Sequence, residues 1–298
     1  MRFITLHKAR WGVEPICRGL QIAPSSYYAA ASRAPSARQQ RDGELKVAIR
    51  RVWHEHRQVY GGEEVWAQLN REGGRVARCT VERLMRELGL RGAVRGHPRV
   101  RTTSGDQAHD RPADLVARQF RAPAPNRLWV ADLTYVKTHS GWVYVAFISD
   151  VFSRFVVGWQ ASRSLRTNLA LDALEMAFGC RQAGRLDGLV HHSDRGGQSL
   201  AVRYTERLAE AGVVASVGSK GDSYDNALAE SFHGLYKTEL IRHRGPWRGL
   251  DDVEYATLEY VDWFNHQRLH GELGLVPPAE FEAAYYHRAA PLPRAASQ

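Results

Sequence analysis

The chain has 298 residues, 44% of them hydrophobic, and a formal charge of +9, long enough for one sizeable core plus at least one smaller unit. No run approaches the roughly 18 apolar residues needed to cross a bilayer, and the start Met1-Arg2-Phe3-Ile4 lacks a signal-peptide apolar core. Cys17, Cys79 and Cys180 are odd in number and free of Cys-x-x-Cys spacing, which suggests neither a disulfide framework nor a zinc ribbon and fits a reducing, cytoplasmic setting.

The charge is unevenly spread. Residues 1–120 carry 22 Lys/Arg against 12 Asp/Glu, whereas residues 121–298 carry 19 against 20, so the first part is the expected holder of a polyanion. Residues 1–40 form an N-terminal helical segment. It reads helix, turn, helix, from Val13 to Leu20, a break at Gln21 to Pro24, then Ser25 to Ala30, with Ser25 a candidate cap. Residues 41–91 read as a second such unit. Its helices are expected at about Gly43–Glu55, Glu63–Arg71 and Thr80–Leu88, with a turn at Gly73-Gly74. Val81, Leu84, Met85 and Leu88 recur at helical spacing, and Arg78, Arg83 and Arg86 are candidate contacts to DNA phosphates or base edges. The alternative is a solvated face over an ordinary apolar stripe.

Residues 92–126 lack a sustained apolar period and mix Gly92, Gly96, Pro98, Gly105, Pro112, Pro123 and Pro125 with many arginines, the pattern of a basic linker. A short helix at Asp114–Phe120 is the one element expected within it. From Arg127 the pattern turns to strands, Leu128–Lys137, Trp142–Asp150 and Arg154–Ala161, expected to run antiparallel. A helix at Asn168–Cys180, a strand at Leu189–Ser193, a helix at Ser199–Ala211, a strand at Val213–Val217 and a helix from about Asp225 follow. This order predicts an α/β ribonuclease-H-like catalytic core over 127–285, a mixed five-stranded sheet with flanking helices, preceded by an all-α helix-turn-helix region and followed by a tail at 286–298.

Three acids carry the chemistry. Asp132 stands in an apolar strand between Ala131 and Leu133, where an unpaired charge is costly to bury. Asp194 opens a glycine-containing loop at the C-terminal end of a strand, where α/β sheets commonly place sites. Glu230 is separated from Asp194 by 35 residues and stands one turn into a helix, with Asn226, His233 and Lys237 on roughly its own side. Carboxylates converging from separate elements suit two hard divalent cations about 4 Å apart, which promote phosphoryl transfer. Structural readings remain beside these: an edge carboxylate, a turn Asp and a solvated helix Glu. His191, His192, His233, His266 and His270 lack metal-ligand spacing and read as structural or phosphate-facing. The loop Gly218 to Tyr224 brings Lys220 close to DNA, or is a plain solvent loop.

Several stretches resemble the OrfB transposases of bacterial insertion sequences, whose core resembles that of retroviral integrases. They are Gly12 to Cys17 with Ala23 to Tyr28, Tyr60-Gly61, Leu84 to Leu90, Trp129 to Tyr135, His192 to Gln198, Asp225 to Phe232, and Phe264-Asn265 through Pro278. One departure is Gly62-Glu63-Glu64, where the family carries an aromatic followed by basic residues. The resemblance implies a D,D(35)E triad of Asp132, Asp194 and Glu230 holding two Mg²⁺ or Mn²⁺ ions, and Lys237 as the basic contact near the scissile phosphate. Arg195 and Asn226 are assigned to DNA binding with it. It further implies double-stranded DNA as partner, both terminal inverted repeats and target, a homo-multimer on that DNA, and an upstream-encoded OrfA-type partner or frameshift fusion. The rival expectations are a nuclease or integrase of the same fold that lacks transposition, and a DNA-binding regulator with an inactive core.

Overall fold

The computed structural model describes residues 1–94, 116, 121–181, 186–193, 202–217 and 227–289, with the side chains of 167, 227–230 and 289 left aside. The chain opens with α1 (Arg2–Trp11), α2 (Val13–Gly19) and α3 (Pro24–Ser32), packed around Ile4, Ile16, Cys17 and Tyr27. α1 lies outside the sequence reading because it buries only Ile4 and leaves Phe3, Leu6 and Trp11 exposed, so it has no apolar stripe to detect. Gly12, at φ 75°, turns the chain between α1 and α2. Ser25 does not cap α3: Ala23 holds that position and Pro24 sits at the first helical turn, where its missing N–H costs nothing.

α4 (Ala37–Glu55), α5 (Gly62–Arg71) and α6 (Arg78–Leu88) form the helix-turn-helix region around Ile49, Val52, Val65, Leu69, Val81, Leu84 and Met85. α4 begins six residues before the expected Gly43. Ser36 and Gln39 close a capping box there, and Gly43 lies exposed inside the helix. Gly74 is required at the α5–α6 turn, since a Cβ would lie 2.8 Å from the Leu69 carbonyl oxygen.

The sheet consists of β1 (Leu128–Thr138), β2 (Gly141–Asp150), β3 (Val156–Ser162), β4 (Val190–Ser193) and β5 (Val214–Val217), in the order β3-β2-β1-β4-β5. β1, β2 and β3 pair antiparallel, while β4 and β5 run parallel to β1. On one face α7 (Thr167–Arg181) and α8 (Val202–Glu210) cover Trp129, Ala146 and Ile148. α7 approaches closely because β3 has glycine at 158, where a Cβ would meet the Ala173 carbonyl oxygen at 2.2 Å. On the other face lie α9 (Ala227–Tyr236) and a π-helical turn (Lys237–Ile241), then α10 (Arg242–Arg244) and α11 (Leu250–His266). Phe232, Tyr236, Tyr260 and Phe264 pack there with Val136, Val145 and Phe147. α12 (Pro278–Ala289) closes the described chain and continues past 285, where the tail was expected to begin.

This is an α/β ribonuclease-H-like core preceded by an all-α helix-turn-helix region. The two share one apolar cluster, in which Tyr60 accepts a hydrogen bond from the Leu269 amide at 2.8 Å and donates to the Gln267 carbonyl at 3.1 Å. Most of the expected linker and its short helix lie outside the described residues. Val116 is buried against Leu128, Val130 and Val151. Among the described residues, no helix is long and apolar enough to cross a membrane.

Candidate active site

Asp132 sits midway along β1, opposite Phe147 of β2. Its side chain points to the face that α9 covers, because alternation puts Asp132, Thr134 and Val136 on one side and Trp129, Ala131 and Leu133 on the other. α9 is anchored there by Phe147, whose ring lies 4.8 Å from Phe232 and 4.9 Å from Tyr236, centroid to centroid. Tyr236 also exchanges a 2.7 Å hydrogen bond with Thr257 of α11. The result is a contact the sequence did not reveal: His233 Nδ1 meets Asp132 Oδ2 at 3.0 Å, with 11% and 16% of the two side chains exposed. A carboxylate only accepts, so Nδ1 carries the proton. Asp132 Oδ1 accepts from the Leu133 amide at 2.7 Å, and His233 Nε2 is buried with no hydrogen-bond partner among the described residues. The signal in the sequence was the spacing that put His233 on Glu230's side of the helix; which strand that side meets is a tertiary fact.

β4 runs parallel to β1 in a register that pairs Ala131 with Ser193, the residues immediately before Asp132 and Asp194. Asp194, Arg195, Lys220 and Asn226 lie outside the described residues, as does the side chain of Glu230, whose backbone belongs to α9. After α9 the helix widens into the π turn, and its two charges go opposite ways. Glu239 turns inward, accepting from Arg268 at 2.6 and 2.9 Å and from the Tyr260 hydroxyl at 2.9 Å. Burial works against the charge on Arg268, but Glu239 outweighs it and holds the guanidinium pKa above its ordinary value. Lys237 turns outward, with Nζ 4.7 Å above the Tyr135 ring. π turns of this kind recur at functional sites.

The other histidines sit elsewhere. Burial pushes His191 down to about 4, and its Nε2 meets the Tyr204 hydroxyl at 3.0 Å. His270 is pushed down to about 2, by burial first and then by Arg268 and Arg154. Both are neutral at pH 7 and belong to the packing.

The arginines of α6 differ among themselves in their partners. Arg78 is paired with Glu63 and Glu82 at 2.6 and 2.8 Å, and Arg83 with Asp42 and Glu87 at 2.9 and 2.7 Å. Arg78 thereby ties α6 to α5, and Arg83 ties it to α4. Arg86 is exposed and makes no ion pair among the described residues. The acidic departure at Gly62-Glu63-Glu64 has a local reason: Glu63 holds Arg78, and Glu64 accepts from the Gly61 amide at 3.0 Å, capping α5.

Two family models described as "Integrase core domain" match residues 122–223 and 211–278, and one described as "HTH-like domain" matches residues 39–98. The transposase for insertion sequence element IS629 of Shigella sonnei is 53% identical over 284 residues, covering 94% of each chain. The chain belongs to the OrfB-type insertion-sequence transposases with an integrase core. The IS986/IS6110 element protein of Mycobacterium bovis is 57% identical to this transposase over 270 residues, covering 90% of this chain and 97% of the relative. A solved integrase catalytic core domain of HTLV-2 in complex with magnesium matches 54% of the transposase and 99% of its own chain, at 18% identity and a TM-score of 0.43.

Proposed function

We propose that this transposase cuts and joins DNA at the ends of its insertion sequence through one centre formed by Asp132, Asp194 and Glu230, with Mg²⁺ or Mn²⁺ as cofactor. The observation that carries the reading is the meeting of α9 with β1 at Asp132. His233, three residues after Glu230, touches the Asp132 carboxylate, and the β1–β4 register pairs the residues preceding Asp132 and Asp194. Three carboxylates from a strand, a strand end and a helix are a hard-oxygen donor set, which suits Mg²⁺ or Mn²⁺ and not a thiophilic metal. When bound, a pair of such ions stabilises both the attacking and the leaving oxygen of an in-line displacement.

The protein's own groups supply the geometry. Asp132 is held by His233 and by the Leu133 amide, so its carboxylate enters the site in a fixed orientation. Lys237 offers a cation to the phosphate beside the reacting one, with Lys220, Arg195 and Asn226 as further contacts to the strand. Arg86, exposed on α6, is the cation proposed to meet duplex DNA. Water is the first nucleophile and exposes a 3′ hydroxyl; that hydroxyl then attacks a target phosphodiester in the same site. The transposase works as a homo-multimer on paired element ends, in the cytoplasm where the bacterial nucleoid lies.

The test is cutting and joining of element-end DNA with Mg²⁺ or Mn²⁺, comparing the parent with Asp194→Asn. Divalent-dependent products from the parent and none from the variant are expected. Metal-independent joining, or a variant as active as the parent, overturns the reading.

A further inference from the structure

The β1–β2 hairpin carries two large aromatic side chains that the fold does not bury. Trp142 is 49% exposed and Tyr135 is 38% exposed. Their rings pack edge to face, 5.3 Å between centroids at 81°, and the Lys237 ammonium caps the Tyr135 ring. Lys137, the register partner of Trp142, is exposed, as is His139 in the turn. A second segment braces the same tip. The His139 amide donates to the Trp247 carbonyl at 2.9 Å and the Ser140 amide to the Arg248 carbonyl at 3.1 Å, leaving the Arg248 side chain 90% exposed with Asp252 at 3.7 Å. The tip therefore presents an indole face among Lys137, Lys237 and Arg248, with Asp252 as the acid in contact.

A cross-strand aromatic pair alone would stabilise a hairpin, but it needs neither a lysine over one ring nor cations around the other. Exposed aromatic faces set among cations are what a single nucleic-acid strand uses: bases stack while phosphates meet the cations. Tyr135 follows Asp132 by three residues on β1, so alternation turns its side chain, with those of Lys137 and Trp142, to the sheet face opposite the Asp132 carboxylate. The link to the proposed reacting centre is Lys237, which follows Glu230 by seven residues and stands 4.7 Å over the Tyr135 ring. A base inside a duplex offers no face to an indole standing off the protein surface, so the occupant is an unpaired base.

We infer that Trp142, steadied by Tyr135 and Lys237, is a stacking platform for an unpaired nucleobase at the DNA end held for cutting or joining. The inference rests on the reading of Asp132 as part of the reacting centre and adds a binding subsite linked to it through Lys237. Lys137, Lys237 and Arg248 meet the phosphates on either side of the stacked base. Because stacking accepts any base, the platform selects opened ends over paired ones and reads no sequence.

The test uses the full chain without divalent metal and two DNA duplexes, one blunt and one with a short unpaired 3′ end carrying 2-aminopurine. Binding of the unpaired end to the parent quenches 2-aminopurine emission. Trp142→Ala abolishes the quenching and weakens binding of that end about tenfold, leaves blunt-duplex affinity unchanged, and Trp142→Phe retains both. Trp142→Thr, which keeps strand propensity, gives the same loss and separates stacking from hairpin stability. Quenching and affinity equal to the parent's in Trp142→Ala or Trp142→Thr, or an equal loss on blunt duplex, overturns the platform. The reading it rests on fails separately, by metal-dependent joining that survives Asp194→Asn.

Discussion

Asp132 is a candidate in the sequence because a lone acid in an apolar strand is costly. Its contact with His233 is not legible there, because an imidazole gives no local sign of which strand its helix will meet. If Asp132 holds metal as proposed, the 3.0 Å contact between them makes His233 a positioning residue, and removing the group that orients a metal-holding residue typically costs about 10–100-fold in metal affinity or activity. His233→Ala should therefore raise the Mg²⁺ concentration needed for half-maximal cleavage by about that factor, with DNA binding unchanged and partial rescue in His233→Asn. An unchanged Mg²⁺ titration would make the contact mere packing. The α6 arginines divide in the same way. The sequence put Arg78, Arg83 and Arg86 on one helix, but which of them are already paired depends on acids up to 41 residues away in sequence. Arg86→Ala should lower the salt slope of DNA binding by about 1. Arg83→Ala, losing Asp42 and Glu87, should lower thermal stability and leave that slope in place.

Elements were legible where a single period dominated them. The strands β1 and β2 and the helix α7 read directly from alternation and apolar spacing. α1 was not legible because most of its apolar residues face solvent, and the true start of α4 was hidden by Gly43, a residue that helices tolerate at about 1 kcal/mol. The π turn after α9 has no periodic signature, yet it decides where two charges go. It lets Glu239 reach Arg268 inside while Lys237 reaches Tyr135 outside. Their side chains are 5% and 11% exposed for Glu239 and Arg268, so breaking that pair strands a charge in the interior. Arg268→Met should destabilise the fold by about 3–5 kcal/mol in denaturant unfolding. A loss well under 1 kcal/mol would mean that solvent reaches Glu239 and that the turn is held by other contacts.

At the scale of the molecule, the helix-turn-helix region and the catalytic core form one packed body. His56 stacks on Tyr60 at 4.3 Å, and its Nδ1 accepts from the Trp263 indole at 3.3 Å. The second contact joins residues 207 positions apart, which no local pattern can announce, and so the sequence suggested separate units where the fold has a shared cluster. The basic surface and the proposed reacting centre are thereby fixed relative to each other. The account turns on Asp132, Asp194 and Glu230 acting together on metal, and counting bound Mn²⁺ by electron paramagnetic resonance tests that most directly. The parent on element-end DNA is expected to bind about two ions per chain, and Asp132→Asn, Asp194→Asn and Glu230→Gln each to lose binding. The same Mn²⁺ count in all four proteins would contradict it.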